Sequence, residues 1–396
     1  MTEPTEPQGP LSGLLVLDLS RVLAGPWVGQ TLGDLGAEVI KVERPGSGDD
    51  TRGWGPPFLK DRSGAETGEA AYFQCANRNK KSLTLDLANP EGQAILRRLA
   101  AQSDVLIENY KVGGLGKYGL DYPTLSADNP RLIYCSITGF GQTGPYAPRA
   151  GYDFLIQAMG GLMSITGRPD GAPGGGPQKV GVALTDIITG LYATIGILAA
   201  LAARERTGRG QHVDLALLDA QVASLANQAM NYLATGVSPS RLGNAHPNIV
   251  PYQDLPTADG SMIVAVGNDQ QFARLCDVLG RPDWAGDPRF ATNRGRVQHR
   301  AVLVPLLEAA TRERGTEAWI AALEDPQVRA RGLRISMPHP SAGSLDLVGS
   351  PINLSDTPVS YRHAPPLLGE HTREVLSQLA GLSDAEIAGL VARKVI

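Results

Sequence analysis

Thr185-Asp186 stands directly before an apolar run from Ile187 to Ala203, which places a carboxylate at the mouth of a predicted helix. The plain reading is an N-cap, since Asp and Thr satisfy orphan N–H groups there and Asp complements the helix dipole. The same physics supports chemistry. Helix N–H groups and the dipole favour the carboxylate over the acid, and they stabilise negative charge on an acyl adduct. Asp186 is therefore a candidate covalent nucleophile.

Cations recur near predicted strand ends. Arg44 follows a strand read over 37–42, Lys117 follows one over 104–108, and Asn77-Arg78-Asn79-Lys80-Lys81 precedes one over 82–87. Ligands of parallel sheets collect outside the carboxyl ends of the strands, so Arg44 and Lys117 would share a rim able to hold phosphates. A solvated basic rim of weak surface pairs is the alternative. Gly114-Leu-Gly116-Lys-Tyr-Gly119 matches GxGxxG, yet Leu120-Asp-Tyr-Pro123 follows where a helix should open, and no acid stands about 20 residues on. The first strand–helix turn, Ser20–Pro26, lacks a glycine triplet as well, which disfavours a nicotinamide or flavin site. No Walker A, GxSxG or HExxH motif occurs, and the histidines are too scattered for an obvious metal site.

These residues need a frame. Leu14–Asp18, a loop through Ala24-Gly25-Pro26, a helix over Trp27–Leu35 and a strand over Ala37–Val42 make a βαβ unit, which predicts a parallel sheet. The alternation continues with helix 90–101, strands 104–108 and 132–138, helix 187–204, strand 211–215 and helix 217–233. After residue 234 the texture becomes turn-rich, with a strand at 261–266 and helices at 270–279, 301–311 and 316–323. A final helix is expected at 374–379. The sequence thus divides into a tail (1–10), a large domain (11–215, completed by 335–396), a linker helix (216–234) and a small domain (235–334).

The chain has 396 residues, 42% of them hydrophobic and 19% charged, which is globular usage with length for more than one core. A net charge of −4 excludes an electrostatically driven nucleic-acid binder. Three widely spaced cysteines give no disulfide framework and point to a reducing compartment. The first ten residues lack the basic and apolar regions of a secretory signal, and the run 187–203 falls short of a membrane span. The expectation is a cytoplasmic protein.

The chain resembles the class III CoA-transferase family, which includes formyl-CoA transferase, carnitine CoA-transferase and α-methylacyl-CoA racemase. The resemblance is carried by VLDLSRVLAGP (16–26), GDLGAEVIKVERPGSGDDTRGWGPPF (33–58), NRNKKSLTLDL (77–87), ENY (108–110) and YCSITGFGQTGP (134–145). RAGYDFLIQA (149–158), KVGVALTDIITGLYATIGILAAL (179–201), TGRGQHVDLALLDAQVA (207–223) and APPLLGEHT (364–372) complete it. GNAHPNIVPYQ (243–253) and GNDQQF (267–272) are most similar to the succinyl-CoA:glutarate branch.

The resemblance implies an α/β fold, with a Rossmann-like parallel-sheet large domain plus a smaller α+β domain in an interlaced homodimer. It implies reversible CoA transfer from an acyl-CoA to a free carboxylic acid. CoA thioester is then substrate, with no resident metal or redox cofactor and no nucleic-acid or membrane partner. The family's catalytic aspartate falls on Asp186, its CoA-phosphate arginine on Arg44, and its CoA-contacting asparagine on Asn109 beside Tyr110. A second phosphate arginine becomes Lys117, which keeps the charge but loses the bidentate fork. Arg21, Val22, Leu23 and Ala24, with Leu85, Thr138 and Phe140, complete the expected CoA contacts; Leu23 replaces a polar residue and Phe140 a tyrosine.

Two departures stand out. Gly151-Tyr152-Asp153 lacks the histidine base that the racemase branch places after the glycine, which disfavours racemisation. Glu324 runs straight into Asp325-Pro-Gln-Val328, roughly 15–20 residues short of the family pattern, a long loop by ordinary standards. A dicarboxylate acceptor such as glutarate, with succinyl-CoA as donor, requires a cation for the distal carboxylate. Arg52, Arg21 and His246 are the candidates, with Tyr152 and Gln157 as further substrate contacts. The rivals are a racemase, a Rossmann dehydrogenase and a CoA-binding scaffold without catalysis.

Overall fold

The computed structural model describes residues 9–320, 334–348, 350–352 and 354–396. It separates into two compact units: residues 9–160, 181–226 and 334–396 form the first, and 161–180 with 227–320 the second.

The first unit opens with β1 (Leu15–Asp18), α1 (Ala24–Asp34), β2 (Glu38–Glu43), the hairpin β3 (Phe58–Lys60) and β4 (Glu66–Ala70), and α2 (Ala71–Gln74). It continues with β5 (Lys80–Thr84), α3 (Pro90–Ala100), β6 (Val105–Glu108), α4 (Tyr122–Asp128), β7 (Ile133–Thr138) and α5 (Asp153–Met159). The chain then enters the second unit with α6 (Leu162–Ile165) and returns as α7 (Leu184–Thr207), β8 (His212–Ala216) and α8 (Leu217–Ala223). Six strands pair in the order β5-β2-β1-β6-β7-β8, every neighbouring pair parallel. The order reverses between β1 and β6, and that reversal opens a crevice at the carboxyl ends of the strands.

Helices cover both faces, so the strands read as unbroken apolar runs. Val16, Val39, Val105 and Ile133 enter one core with α1 and α7, while Leu17, Ile40 and Leu106 enter the other with α3. On the first face α7 buries Ala193, Ile197 and Ala200. It crosses α1 closely because Gly190 has no side chain: a Cβ there would lie 2.9 Å from the carbonyl oxygen of Ala24. Although α7 has the length and composition to cross a membrane, this face is packed on the sheet. Its Leu191, Tyr192 and Ile195 are exposed.

A break separates α8 from α9 (Ala226–Thr235), which leads into the second unit. There the antiparallel β9 (Tyr252–Pro256) and β10 (Ser261–Ala265) pack with α10 (Asp269–Val278), α11 (Asp283–Gly286), α12 (Asn293–Gln298), α13 (Arg300–Thr311) and α14 (Thr316–Ile320). Val250, Leu255, Phe272, Phe290 and Leu303 form its core, and Arg296, fully buried, pairs with Asp269 at 2.8 Å. The chain ends in the first unit with the hairpin β11 (Arg334–His339) and β12 (Gly343–Val348), α15 (Thr372–Gln378) and α16 (Asp384–Ala392).

Several sequence expectations shift. The helix read from 187 begins at Leu184, so Asp186 is its third residue and Ala183 the cap. The single linker helix is broken, with Ala226 at φ 44°. The strand read over 82–87 lies at Lys80–Thr84, residues 161–180 cluster with the second unit, and α16 follows the helix expected to be last. Residues 1–8, the junction Glu324-Asp325 and the end of the helix read to 323 lie outside the described residues.

Candidate active site

The loop after β1 is fixed from beneath by buried ion pairs. Asp18, fully buried, accepts from Lys80 Nζ at 2.8 Å and from the Ser20 N–H at 3.0 Å. Lys41 Nζ donates to the Ser20 carbonyl and to Asp49 Oδ2, each at 2.9 Å. Asp49 also accepts from the backbone N–H of Val22 at 3.2 Å. Val22 sits at φ 73°, a left-handed conformation that a β-branched residue adopts only under constraint. Burial works against ionising Asp49 and against charging Lys41, yet each overcomes it through the other: Asp49 titrates below its ordinary value and Lys41 above.

Across the crevice, Asn109 at the end of β6 grips this loop by its main chain. Its Oδ1 accepts from the Arg21 N–H at 2.9 Å and its Nδ2 donates to the Arg21 carbonyl at 2.6 Å. The Arg21 guanidinium pairs with Asp50 at 2.9 Å and lies 5.7 Å from the Tyr110 ring centre. Two cavities meet at Arg21, Asp50 and Tyr110. One, of about 470 Å³, is lined by Arg44 and Leu85; the other, of about 490 Å³, by Val22, Leu23, Ala24, Asn109, Thr138, Tyr152 and Asp186. Arg44 is exposed with no ion-pair partner among the described residues, and Lys117 Nζ lies 4.5 Å from the Tyr118 ring centre beside the first cavity. Phe140 lines neither.

The Asp186 corner departs from the sequence expectation in its electrostatics. The helix N–H groups are occupied: Asp153, at the start of α5, accepts from Thr185 N–H at 2.8 Å and from Asp186 N–H at 3.3 Å. Ile187 N–H donates to the Ala183 carbonyl. They stabilise Asp153 rather than a charge at Asp186. The Asp186 carboxylate has no hydrogen-bond partner among the described residues, and burial together with the nearby Asp153 charge pushes its pKa up to about 7. Thr185 hydroxyl donates to Gln221 Oε1 at 2.5 Å, which ties α7 to α8. Burial and then the charges of Asp186 and other acids raise Tyr72 to about 12, and Tyr72 packs edge-on to Trp54 on the cavity wall.

Three predicted substrate contacts have partners within the protein. Arg52 is buried in a bidentate pair with Glu43, at 2.7 and 2.8 Å, and lies 3.7 Å from the Phe73 ring centre, so its fork is already used. Gln157 is fully buried and donates to Asp153 Oδ2 at 2.7 Å, which makes it a positioning residue. His246 belongs to the second unit, where it packs against Tyr252. Residue types and spacing singled out neither Asp153, beyond its place in Gly-Tyr-Asp, nor Trp54, Tyr72 or Arg149, all near or in the Asp186 cavity.

Comparison with known proteins accords with this geometry. The profile of CoA-transferase family III matches residues 11–372. The chain is 52% identical to a succinate–glutarate CoA-transferase of Agrobacterium fabrum over 96% of this chain and 98% of that one. It is 44% identical to a succinyl-CoA:glutarate CoA-transferase of Mus musculus, covering 98% and 90% of the two chains. The crystal structure of a CAIB/BAIF family protein from Brucella suis superposes with a TM-score of 0.80 at 52% identity, covering 94% of this chain and all of that one. The chain belongs to CoA-transferase family III and is an acyl-CoA:carboxylate CoA-transferase.

Proposed function

We propose that the protein moves CoA from succinyl-CoA to a dicarboxylate such as glutarate through covalent intermediates on Asp186. The observation that carries this is the Asp186 carboxylate, unpartnered within a cavity that meets a second, Arg44-lined cavity at Arg21 and Tyr110. An extended thioester could lie with its phosphates at Arg44 and Lys117 and its carbonyl at Asp186.

Asp186 Oδ attacks the thioester carbonyl, the C–S bond breaks, and a mixed anhydride and CoA thiolate form. Arg44 and Lys117 retain the thiolate through its phosphates, and it attacks the aspartyl carbonyl. Succinate leaves, and an aspartyl–CoA thioester remains. The acceptor carboxylate attacks this thioester, expelling thiolate, and the thiolate then attacks the acceptor's acyl carbon to release glutaryl-CoA and free Asp186. Each step exchanges one acyl bond for another, so the protein's contribution is chiefly positioning. A carboxylate with a pKa near 7 is also a stronger nucleophile than an ordinary one once ionised.

The protein acts as a homodimer in this reading, interlaced as the family resemblance implies. Support comes from the exposed apolar side chains Leu191, Tyr192 and Ile195 of α7 and Phe154 and Leu155 of α5, which a partner could cover. Light scattering should give twice the chain mass; a stable monomer overturns this. The compartment proposed is the cytoplasm, in keeping with the free thiols of Cys75, Cys135 and Cys276.

The mechanism is tested by incubating the protein with succinyl-CoA, trapping with hydroxylamine and mapping peptides by mass spectrometry. A hydroxamate on the peptide containing Asp186 is expected. A label elsewhere overturns the assignment. A screen of acceptors tests the substrate class, which fails if straight-chain monocarboxylates are preferred.

A further inference from the structure

A dicarboxylate entering the Asp186 cavity meets three acidic side chains, Asp186, Asp153 and the Arg21-paired Asp50, and must still place its second carboxylate. That end needs a cation with its donors free. Arg52 is committed to Glu43 and Arg21 to Asp50. Arg149 also lines the cavity, and its guanidinium has no carboxylate or hydrogen-bond partner among the described residues.

The loop that carries Arg149 is built to hold it in place. Gly139 at its start and Gly151 at its end touch: a Cβ on Gly139 would lie 2.5 Å from the Gly151 Cα, so only this glycine pair lets the loop close at its base. Within the closed loop, Arg149 N–H donates to the Tyr146 carbonyl at 2.9 Å. Its guanidinium carbon lies 4.6 Å from the Tyr146 ring centre and 5.6 Å from that of Phe140, and these rings meet edge-to-face at 5.5 Å. Two aromatic faces thus orient a cation without neutralising it or occupying its N–H donors. The structure also gives Phe140 a role behind the cavity wall, where the family resemblance places it against CoA.

We infer that Arg149 binds the distal carboxylate of the dicarboxylate substrate and so sets the preference for diacids over monoacids. This rests on the CoA-transfer reading above and specifies its substrate end. The guanidinium forms paired charge-assisted hydrogen bonds to the carboxylate while the other carboxylate faces Asp186. Lys111 lines the same cavity from the segment after β6 and also borders a neighbouring cavity of about 270 Å³.

The experiment compares acceptor kcat/KM for glutarate and for pentanoate, a monoacid of equal chain length, in wild-type, Arg149→Gln, Arg149→Lys and Lys111→Gln proteins. This constant refers to the enzyme–CoA form, so effects on the donor cancel. Removing the partner of a substrate carboxylate should lower the glutarate-to-pentanoate ratio ~100-fold in Arg149→Gln. Arg149→Lys, which keeps charge and ring contact but not the fork, should fall between and covers the case of a misfolded glutamine variant. Equal losses for both acids, an unchanged ratio, or a collapse of the ratio in Lys111→Gln instead overturns the assignment. If the wild type itself shows no preference for glutarate, the dicarboxylate reading fails with it; a preference that survives in both Arg149 variants removes Arg149 alone.

Discussion

Two sets of carboxylates in the first unit differ in what faces them. Under the loop after β1, Asp49 faces Lys41 and Glu43 faces Arg52, each pair closed within 3 Å. At the start of α7, the Asp153 charge bears on Asp186, and neither has an ion-pair partner among the described residues. Desolvation pushes Asp49, Glu43 and Asp186 toward the protonated form. Lys41 and Arg52 reverse that push at Asp49 and Glu43, which titrate low, while a second negative charge adds to it at Asp186. The facing charge separates these structural carboxylates from the proposed nucleophile.

Changing Asp186 should have the largest effect. Asp186→Asn retains shape but has no anionic oxygen to attack a thioester, and CoA transfer should fall by roughly three orders of magnitude or more. Steady-state transfer with succinyl-CoA measures it, and activity near the wild-type level would return Asp186 to a capping role. On the other side of the comparison, Lys41→Met leaves Asp49 buried without its cation. The cost should be about 3–5 kcal/mol of stability, read as a lower denaturant midpoint. The double variant Lys41→Met/Asp49→Asn should recover part of it, since Asn still accepts from Val22 N–H. A Lys41→Met protein as stable as the wild type would show the pair to be idle.

The sequence made one side of this contrast far more readable than the other. Parallel strands buried on both faces leave continuous apolar runs, so β1, β2, β6 and β7 were legible nearly to the residue. Asp186 was marked by its place before the longest apolar helix. Its partner was not, because Asp153 approaches from another helix, 33 residues back in the chain, and no local pattern signals a cap supplied across such a distance. The pairing of Arg52 was hidden for a related reason. An arginine in a Gly- and Asp-rich loop reads as a free cation until the fold brings Glu43 against it. Arg149 reversed the case: its value lies in having no partner, which no spacing rule reports. The last helix went unread, although Ser383-Asp-Ala-Glu386 spells a capping box that the structure forms in full.

A smaller effect separates the two carboxylates of the reactive pair. Asp153→Asn removes the second negative charge, so the Asp186 pKa should move down from about 7 while desolvation still holds it above the ordinary value. The acid limb of the kcat/KM profile, set by loss of the nucleophilic carboxylate, should then shift toward lower pH. A limb that stays in place would mean that Asp153 positions α7 without acting on the charge of Asp186.

The smallest effect is the most diagnostic, because its sign differs between the two sets. Asp186 has a folded-state pKa of about 7 against an ordinary 3.8, so between these values the folded protein binds more protons than the unfolded chain. Stability therefore falls as pH rises through that window, and above it the ionised carboxylate is a standing cost. Asp186→Asn lacks this cost. It should match the wild type near pH 4 and exceed it by on the order of 1–2 kcal/mol near pH 8, after allowance for solvent screening of a half-buried group. Asp49 has the opposite sign: its pKa is lowered, so its contribution is present above the ordinary carboxylate pKa and is lost as pH falls through the folded value. Asp49→Asn should be less stable than the wild type near pH 8, with the gap closing on acidification. Denaturant melts of both variants across this range would settle the matter. If both gaps carried the same sign, Asp186 would have to be paired with a cation in solution, and its claim to be the reactive carboxylate would lose its electrostatic basis.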